Sequence, residues 1–193
     1  MMSLDAHDAL LVADIQNDFL PGGALGISGG NEIIPVLQSY IHRFHSKSLP
    51  IFLTRDWHPP NHCSFRNRGG PWPVHCVAGS SGSLPPRSFE APLSAVIIYK
   101  AIDADEEAYS AFHNTPLHRH LQAIGVRRLF IGGLATDYCV LNTVKDAGAL
   151  GYDVCLLTDG IRAVNVHPDD GRNAEQDMFR LGVAPIRLEA LAA

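Results

Sequence analysis

Asp14, Asp56, Lys100 and Cys139 are residues whose types can do chemistry, and each follows a short aliphatic run. Taken singly, each has an ordinary reading: a solvated charge, a helix cap or a buried thiol. As a set they are ionisable groups delivered to one edge by four consecutive strands, and that is where an open α/β sheet binds ligands. Cys139 lies in Gly132–Val140 (GGLATDYCV), which reads as a strand running through a glycine-rich turn into a helix. Thr136 or Asp137 can cap that helix and place Cys139 in its first turn. There the helix dipole and a nearby cation favour the thiolate. Free N–H groups in the same turn can hold an oxyanion, as acyl transfer requires. Lys100 beside the cysteine is expected to lower the thiol pKa. Asp14 can take the thiol proton and return it to a leaving amine. Cys155, inside a strand, reads as core.

A second cluster lies in the Pro-, Gly-, Ser- and His-rich segment 56–89. Asp56, His58 and His62 fall in DWHPPNH, and His75 follows in WPVH. One carboxylate and three imidazoles have the look of a metal site whose coordination is completed by solvent or substrate. Histidines in a polar loop are also often merely solvated. Cys63 and Cys76 each follow a candidate histidine, so a mixed Cys/His structural zinc site or a Cys63–Cys76 disulfide stands beside that reading. Phe19 and Trp72 are positioned to wall a flat ring, and either can instead be a core anchor. Tyr138, which precedes the cysteine, joins them as a candidate substrate-facing residue.

The elements that must position these residues are legible as alternation. Strand candidates are Ala9–Ile15, Pro50–Thr54, Ala95–Tyr99, Arg128–Leu134, Asp153–Thr158 and Ala184–Leu188. Their unbroken hydrophobicity suits strands covered on both faces, as in a parallel sheet. Helix candidates are Glu32–Lys47, Pro116–Ile124, Asp137–Leu150 and Gly171–Leu181, the first with an apolar stripe through Ile33, Val36, Leu37, Tyr40, Ile41 and Phe44. The expected fold is a Rossmann-like open α/β sheet, mainly parallel, with helices on both faces. It forms a single domain over 1–193, with the 56–89 segment as a functional loop insertion.

Composition sets the outer limits. The chain has 193 residues, 46% of them hydrophobic, and a net charge of -5. No basic stretch is dense enough for a nucleic-acid footprint. No apolar span is long enough for a membrane helix, and nothing at the N-terminus reads as a signal peptide. The four scattered cysteines do not form a disulfide scaffold. A cytoplasmic protein with reduced thiols is expected.

These motifs, in this order, resemble the nicotinamidase/pyrazinamidase branch of the isochorismatase-like cysteine hydrolases. The resemblance runs from Asp14–Phe19 (DIQNDF) through Asp56–Pro59 (DWHP) and Trp72–Cys76 (WPVHC) to Ala135–Val140 (ATDYCV). It implies the isochorismatase-like hydrolase fold and a triad of Asp14, Lys100 and Cys139. Cys139 then attacks a carboxamide carbon to form an acyl-enzyme, releasing ammonia and later nicotinate, with pyrazinamide a second substrate. It also implies one divalent ion, zinc, iron or manganese, on Asp56, His58, His62 and His75, with the pyridine nitrogen of nicotinamide as a further ligand. A cis peptide before Ala135 would aim the Ala135 and Cys139 N–H groups at the oxyanion, and Phe19 and Trp72 would flank the ring. Homo-oligomerisation is common in such a family. Ala101 departs from the glycine usual after the family's lysine.

Two other readings compete. One is a related hydrolase of another small amide or carbamoyl compound, or of an enol ether, although the enol ether branch is expected to work without metal. The other is a non-catalytic binding module, which has no need of Asp14, Lys100 and Cys139 together.

Overall fold

The computed structural model describes residues 1–192. Its centre is a sheet of strands β1 (Asp8–Ala13), β2 (Ile51–Asp56), β3 (Val96–Lys100), β4 (Arg128–Leu134), β5 (Asp153–Arg162) and β6 (Ala184–Ile186). All neighbours are parallel, in the order β3-β2-β1-β4-β5-β6. The order reverses between β1 and β4, so the crevice beyond their carboxyl ends is the ligand position of an open sheet. At that point Gly133 pairs with Ala13 with φ +112°, and a Cβ on it would fall 2.1 Å from the Ala13 carbonyl oxygen. Only glycine lets the two strand ends meet there.

Helix α1 (Ile34–Ser46) covers one face, and α2 (Leu117–Ala123), α3 (Leu141–Ala149) and α4 (Asp170–Arg180) cover the other. The strand side chains divide accordingly. Leu10, Val12 and Phe130 pack with Leu37, Tyr40 and Phe44 of α1. Leu11, Leu129 and Ile131 pack with Leu121, Val144 and Met178 on the opposite side. Burial on both faces is why these strands read as continuous apolar runs rather than alternating ones. Truncating Phe44, which is fully buried, to alanine would cost about 3–5 kcal/mol.

The sheet matches the expected α/β architecture, with differences at the ends. The strand expected over Asp153–Thr158 continues to Arg162 after a register irregularity opposite Ile131–Gly133. The helix expected over Asp137–Leu150 begins as a π-helical turn, Thr136–Val140, before α3. The connection 57–95 holds a single 3-10 turn, Arg66–Arg68. Its shape comes from isolated bridges, His58 with Val77 and Phe65 with Trp72.

Candidate active site

Lys100 is the hub. It ends β3 fully buried, which is affordable only because carboxylates meet it. Its Nζ lies 3.1 Å from Asp14 Oδ2 and 3.4 Å from Cys139 Sγ, bonds Asp56 Oδ1, and donates to the Ala108 carbonyl at 3.3 Å. Burial alone would lower the ammonium pKa; Asp14 and Asp56 outweigh it and raise the value well above the ordinary one. Asp14, just past β1 at φ +51°, is held by the Thr54 hydroxyl, which donates to Oδ1 at 2.6 Å. Burial raises its pKa, against the pull of Lys100 and with the push of Asp56. Asp14 is thus a carboxylate with a strengthened appetite for a proton, and a carboxylate oxygen of it lies within 4.8 Å of the Cys139 sulfur.

The expectation of a thiol pushed toward thiolate is corrected here. Burial raises the Cys139 pKa well above its ordinary value; Lys100 opposes this, but Asp14 and Asp56 reinforce it. The resting pair is therefore a protonated thiol facing a base rather than a free thiolate. Cys139 does lie in the first turn beyond β4, as expected, but no side chain caps that turn. The Leu134–Ala135 peptide is cis, and the Ala135 carbonyl accepts from the Tyr138 and Val140 N–H groups at 3.2 and 3.0 Å.

Adjoining this cluster through Asp56, the residues Asp56, His58 and His75 offer ligand atoms that all lie within 4.8 Å of one another. The chemistry of this set suits a divalent ion. His58 Nδ1 faces the Ala101 carbonyl at 3.2 Å and His75 Nδ1 faces the Pro73 carbonyl at 2.7 Å. Each Nδ1–H donation fixes the tautomer that leaves Nε2 as a lone-pair donor. Burial lowers the His75 pKa, favouring the neutral ring that a metal needs. At Asp56 burial alone would raise the pKa, but Lys100 and His58 outweigh it and keep the carboxyl ionised. Ala101 itself has φ +52°, a left-handed conformation that glycine adopts more readily.

His62 does not join this group. Its Nδ1 meets the Ser64 hydroxyl at 2.8 Å and its Nε2 donates to the Glu106 carbonyl at 3.1 Å. With both nitrogens engaged, the ring packs against His58 at 4.2 Å between centroids. The chain turns back at this point, the His62 N–H donating to the Pro59 carbonyl at 3.1 Å, and Ser64 and Glu106 then hold the ring. Cys63 and Cys76 are free thiols outside the three-residue group, so neither the disulfide nor the mixed Cys/His site forms.

Phe19, Trp72, Tyr138, Cys139, His58 and His75 line one cleft. Phe19 lies 5.5 Å from the His75 ring, and Trp72 meets Tyr138 edge-on at 4.9 Å.

Several residues here were not singled out from sequence. The buried Gln16 accepts from the Asp56 N–H at 2.9 Å through Oε1 and donates to the Asp56 carbonyl at 2.8 Å through Nε2. The Tyr109 hydroxyl accepts the Trp72 indole N–H at 3.0 Å. Phe65, fully buried, sets its ring 5.5 Å from His58 and from His75, and 5.7 Å from His62. Gln16 carried a signal, a polar side chain two residues past the strand-end aspartate; Tyr109 and Phe65 carried none.

The isochorismatase domain model matches residues 8–190. The chain is 37% identical to a nicotinamidase of Escherichia coli over 90% of its length and 92% of that protein's. The solved structure of a pyrazinamidase of Pyrococcus horikoshii in complex with zinc superposes with a TM-score of 0.90 at 45% identity, covering 94% of this chain and 99% of that one. The structure of PnC1 from L. infantum in complex with nicotinate gives 0.91 at 34% identity, covering 100% and 98%.

Proposed function

The chain belongs to the isochorismatase domain family, and we propose that, like its relative in Escherichia coli, it is a nicotinamidase, converting nicotinamide to nicotinate and ammonia and acting on pyrazinamide as well. The observation that carries this reading is the position of Lys100 Nζ, 3.1 Å from Asp14 and 3.4 Å from Cys139, beside a buried Asp/His/His donor set.

Asp14, whose carboxylate lies within 4.8 Å of the sulfur, takes the thiol proton as Cys139 Sγ attacks the carboxamide carbon. The Ala135 and Cys139 N–H groups receive the oxyanion. Lys100 keeps its positive charge throughout and steadies whichever of Asp14 and Cys139 is anionic. Asp14 then returns the proton to the leaving nitrogen, and ammonia departs. Water, deprotonated by Asp14, attacks the thioester; Sγ leaves and takes that proton back from Asp14, and the acid departs as nicotinate, its own proton passing to solvent.

Asp56, His58 and His75 would hold a divalent ion, which when bound supplies a coordination site for the ring nitrogen of the substrate. Zinc suits two imidazoles and a carboxylate with open positions, and the P. horikoshii structure carries zinc. Phe19, Trp72 and Tyr138 sandwich and edge the ring. A homo-oligomer in the cytoplasm completes this reading.

The test is ammonia release from nicotinamide by the purified protein, with Cys139→Ala and a chelator-treated sample alongside. Release by the wild type, silence in the variant and recovery on adding zinc support every part. An active Cys139→Ala protein would remove the covalent route.

A further inference from the structure

Asp137, two residues before the nucleophile, does not cap the turn it sits in. Its carboxylate instead reaches across to the chain leaving β5. Oδ1 accepts the Val164 N–H at 2.9 Å and Oδ2 accepts the Asn165 N–H at 2.8 Å. Both oxygens are thus spent on two successive backbone donors, a charge-assisted pair that fixes the position and orientation of that peptide. The brace continues outward. Asn165, at φ +54°, accepts the Gly171 N–H on its side-chain oxygen at 2.8 Å. Gly171 fits only because it lacks a Cβ, which would stand 2.4 Å from Ala163 Cβ. The residue carried by this braced peptide, Val164, lines the cleft and packs on the core.

We propose that Asp137 is a positioning residue that couples the nucleophile turn to Val164, so that the wall closing the cleft is held in register with Cys139. The reason for the arrangement is geometric. Cys139 and Val164 stand on separate segments beyond the last paired residues of β4 and β5, Leu134 and Arg162. Past that pair the sheet ladder no longer ties one segment to the other. A carboxylate planted in the cysteine's own turn does. A substrate resting on Val164 is then presented to Sγ at a set depth.

The inference rests on the nicotinamidase reading for its assay, and amide exchange gives it an independent readout. Asp137→Ala is expected to raise KM for nicotinamide about tenfold while kcat changes less than about threefold, since positioning is lost and the reacting groups are kept. Val164→Ala is expected to raise KM in the same direction. In the double variant the second change should add little, because Asp137 acts through Val164. Hydrogen exchange at the Val164 and Asn165 amides should quicken in Asp137→Ala. Asp137→Asn, which keeps the shape and one acceptor, should fall between, and it serves if the alanine variant does not fold. Additive KM effects, a kcat loss at constant KM, or unchanged exchange at 164–165 would each overturn the proposal. A wild type that leaves nicotinamide intact overturns the functional reading alone, and the exchange result then decides whether the brace exists.

Discussion

Gln16 grips Asp56 by its own backbone: one side-chain amide accepts the Asp56 N–H at 2.9 Å and donates to the Asp56 carbonyl at 2.8 Å. The same Nε2 donates to the Ser83 carbonyl at 2.9 Å, so the loop is tied in as well. All of this is buried. Gln16→Ala leaves those backbone groups without partners or water, at about 1–3 kcal/mol for each group left bare. Thermal unfolding of the variant should show a clear loss of stability, and zinc content after dialysis should fall because Asp56 is no longer fixed. A variant with wild-type stability and full metal content would show that the clamp is redundant.

His62 and His75 look alike in sequence and should behave differently. His75 presents a free Nε2 beside Asp56 and His58, whereas both nitrogens of His62 are engaged. His75→Ala is expected to lose bound metal, with affinity for zinc weakened by at least about tenfold. His62→Ala should still bind one equivalent and mainly lose stability from the packing behind His58. Calorimetric titration of zinc into the two apo variants separates them, and equal losses would restore His62 to the ligand set.

The buried carboxyl of Asp14 gives a pH signature of opposite sign to that of a salt-bridged surface aspartate. Its folded pKa is raised, by burial foremost, so the folded state holds the proton more tightly than the unfolded chain, whose value is about 3.9. Raising the pH from about 4 therefore withdraws stability until the folded pKa is passed. Asparagine at this position does not titrate. The melting temperature of Asp14→Asn relative to wild type should climb as pH rises from 4.5 to neutrality. A difference independent of pH would mean that Asp14 titrates normally. The same variant should be inactive at every pH, since the proton acceptor is gone.

What was legible in the sequence divides by the range of the interaction. The sheet and its covering helices could be read because burial on both faces writes itself as continuous apolar runs, as in Ala9–Ala13 and Arg128–Leu134. The placement of Asp14, Lys100 and Cys139 at one edge follows from each lying one step past such a run. Local spacing could not tell His62 from His75, because the distinction lies in Ser64 and Glu106, and Glu106 comes from beyond β3. The expected pull of Lys100 on the Cys139 thiol is there, but the net direction of its pKa escaped for a related reason. Sequence showed the cation that lowers it but not the depth of burial or the two carboxylates crowding the same lysine. Asp137 looked like a cap because caps are local, and its partners are Val164 and Asn165.

The choice of substrate should depend on the ring nitrogen. Asp56, His58 and His75 face the same cleft as Cys139, so an ion held there selects a ring with a basic nitrogen at a fixed distance from its carboxamide. Benzamide has the same shape and the same amide without that nitrogen. It forfeits both the coordination bond and the orientation that bond provides, and losses of this kind are worth about two orders of magnitude in rate. With the zinc-loaded enzyme, kcat/KM for nicotinamide should exceed that for benzamide by about 100-fold. After chelation, nicotinamide turnover should drop toward the benzamide rate, with benzamide changing little. Equal rates on the two amides in the loaded enzyme would place substrate selection in Phe19, Trp72 and Tyr138 and leave the ion a structural part.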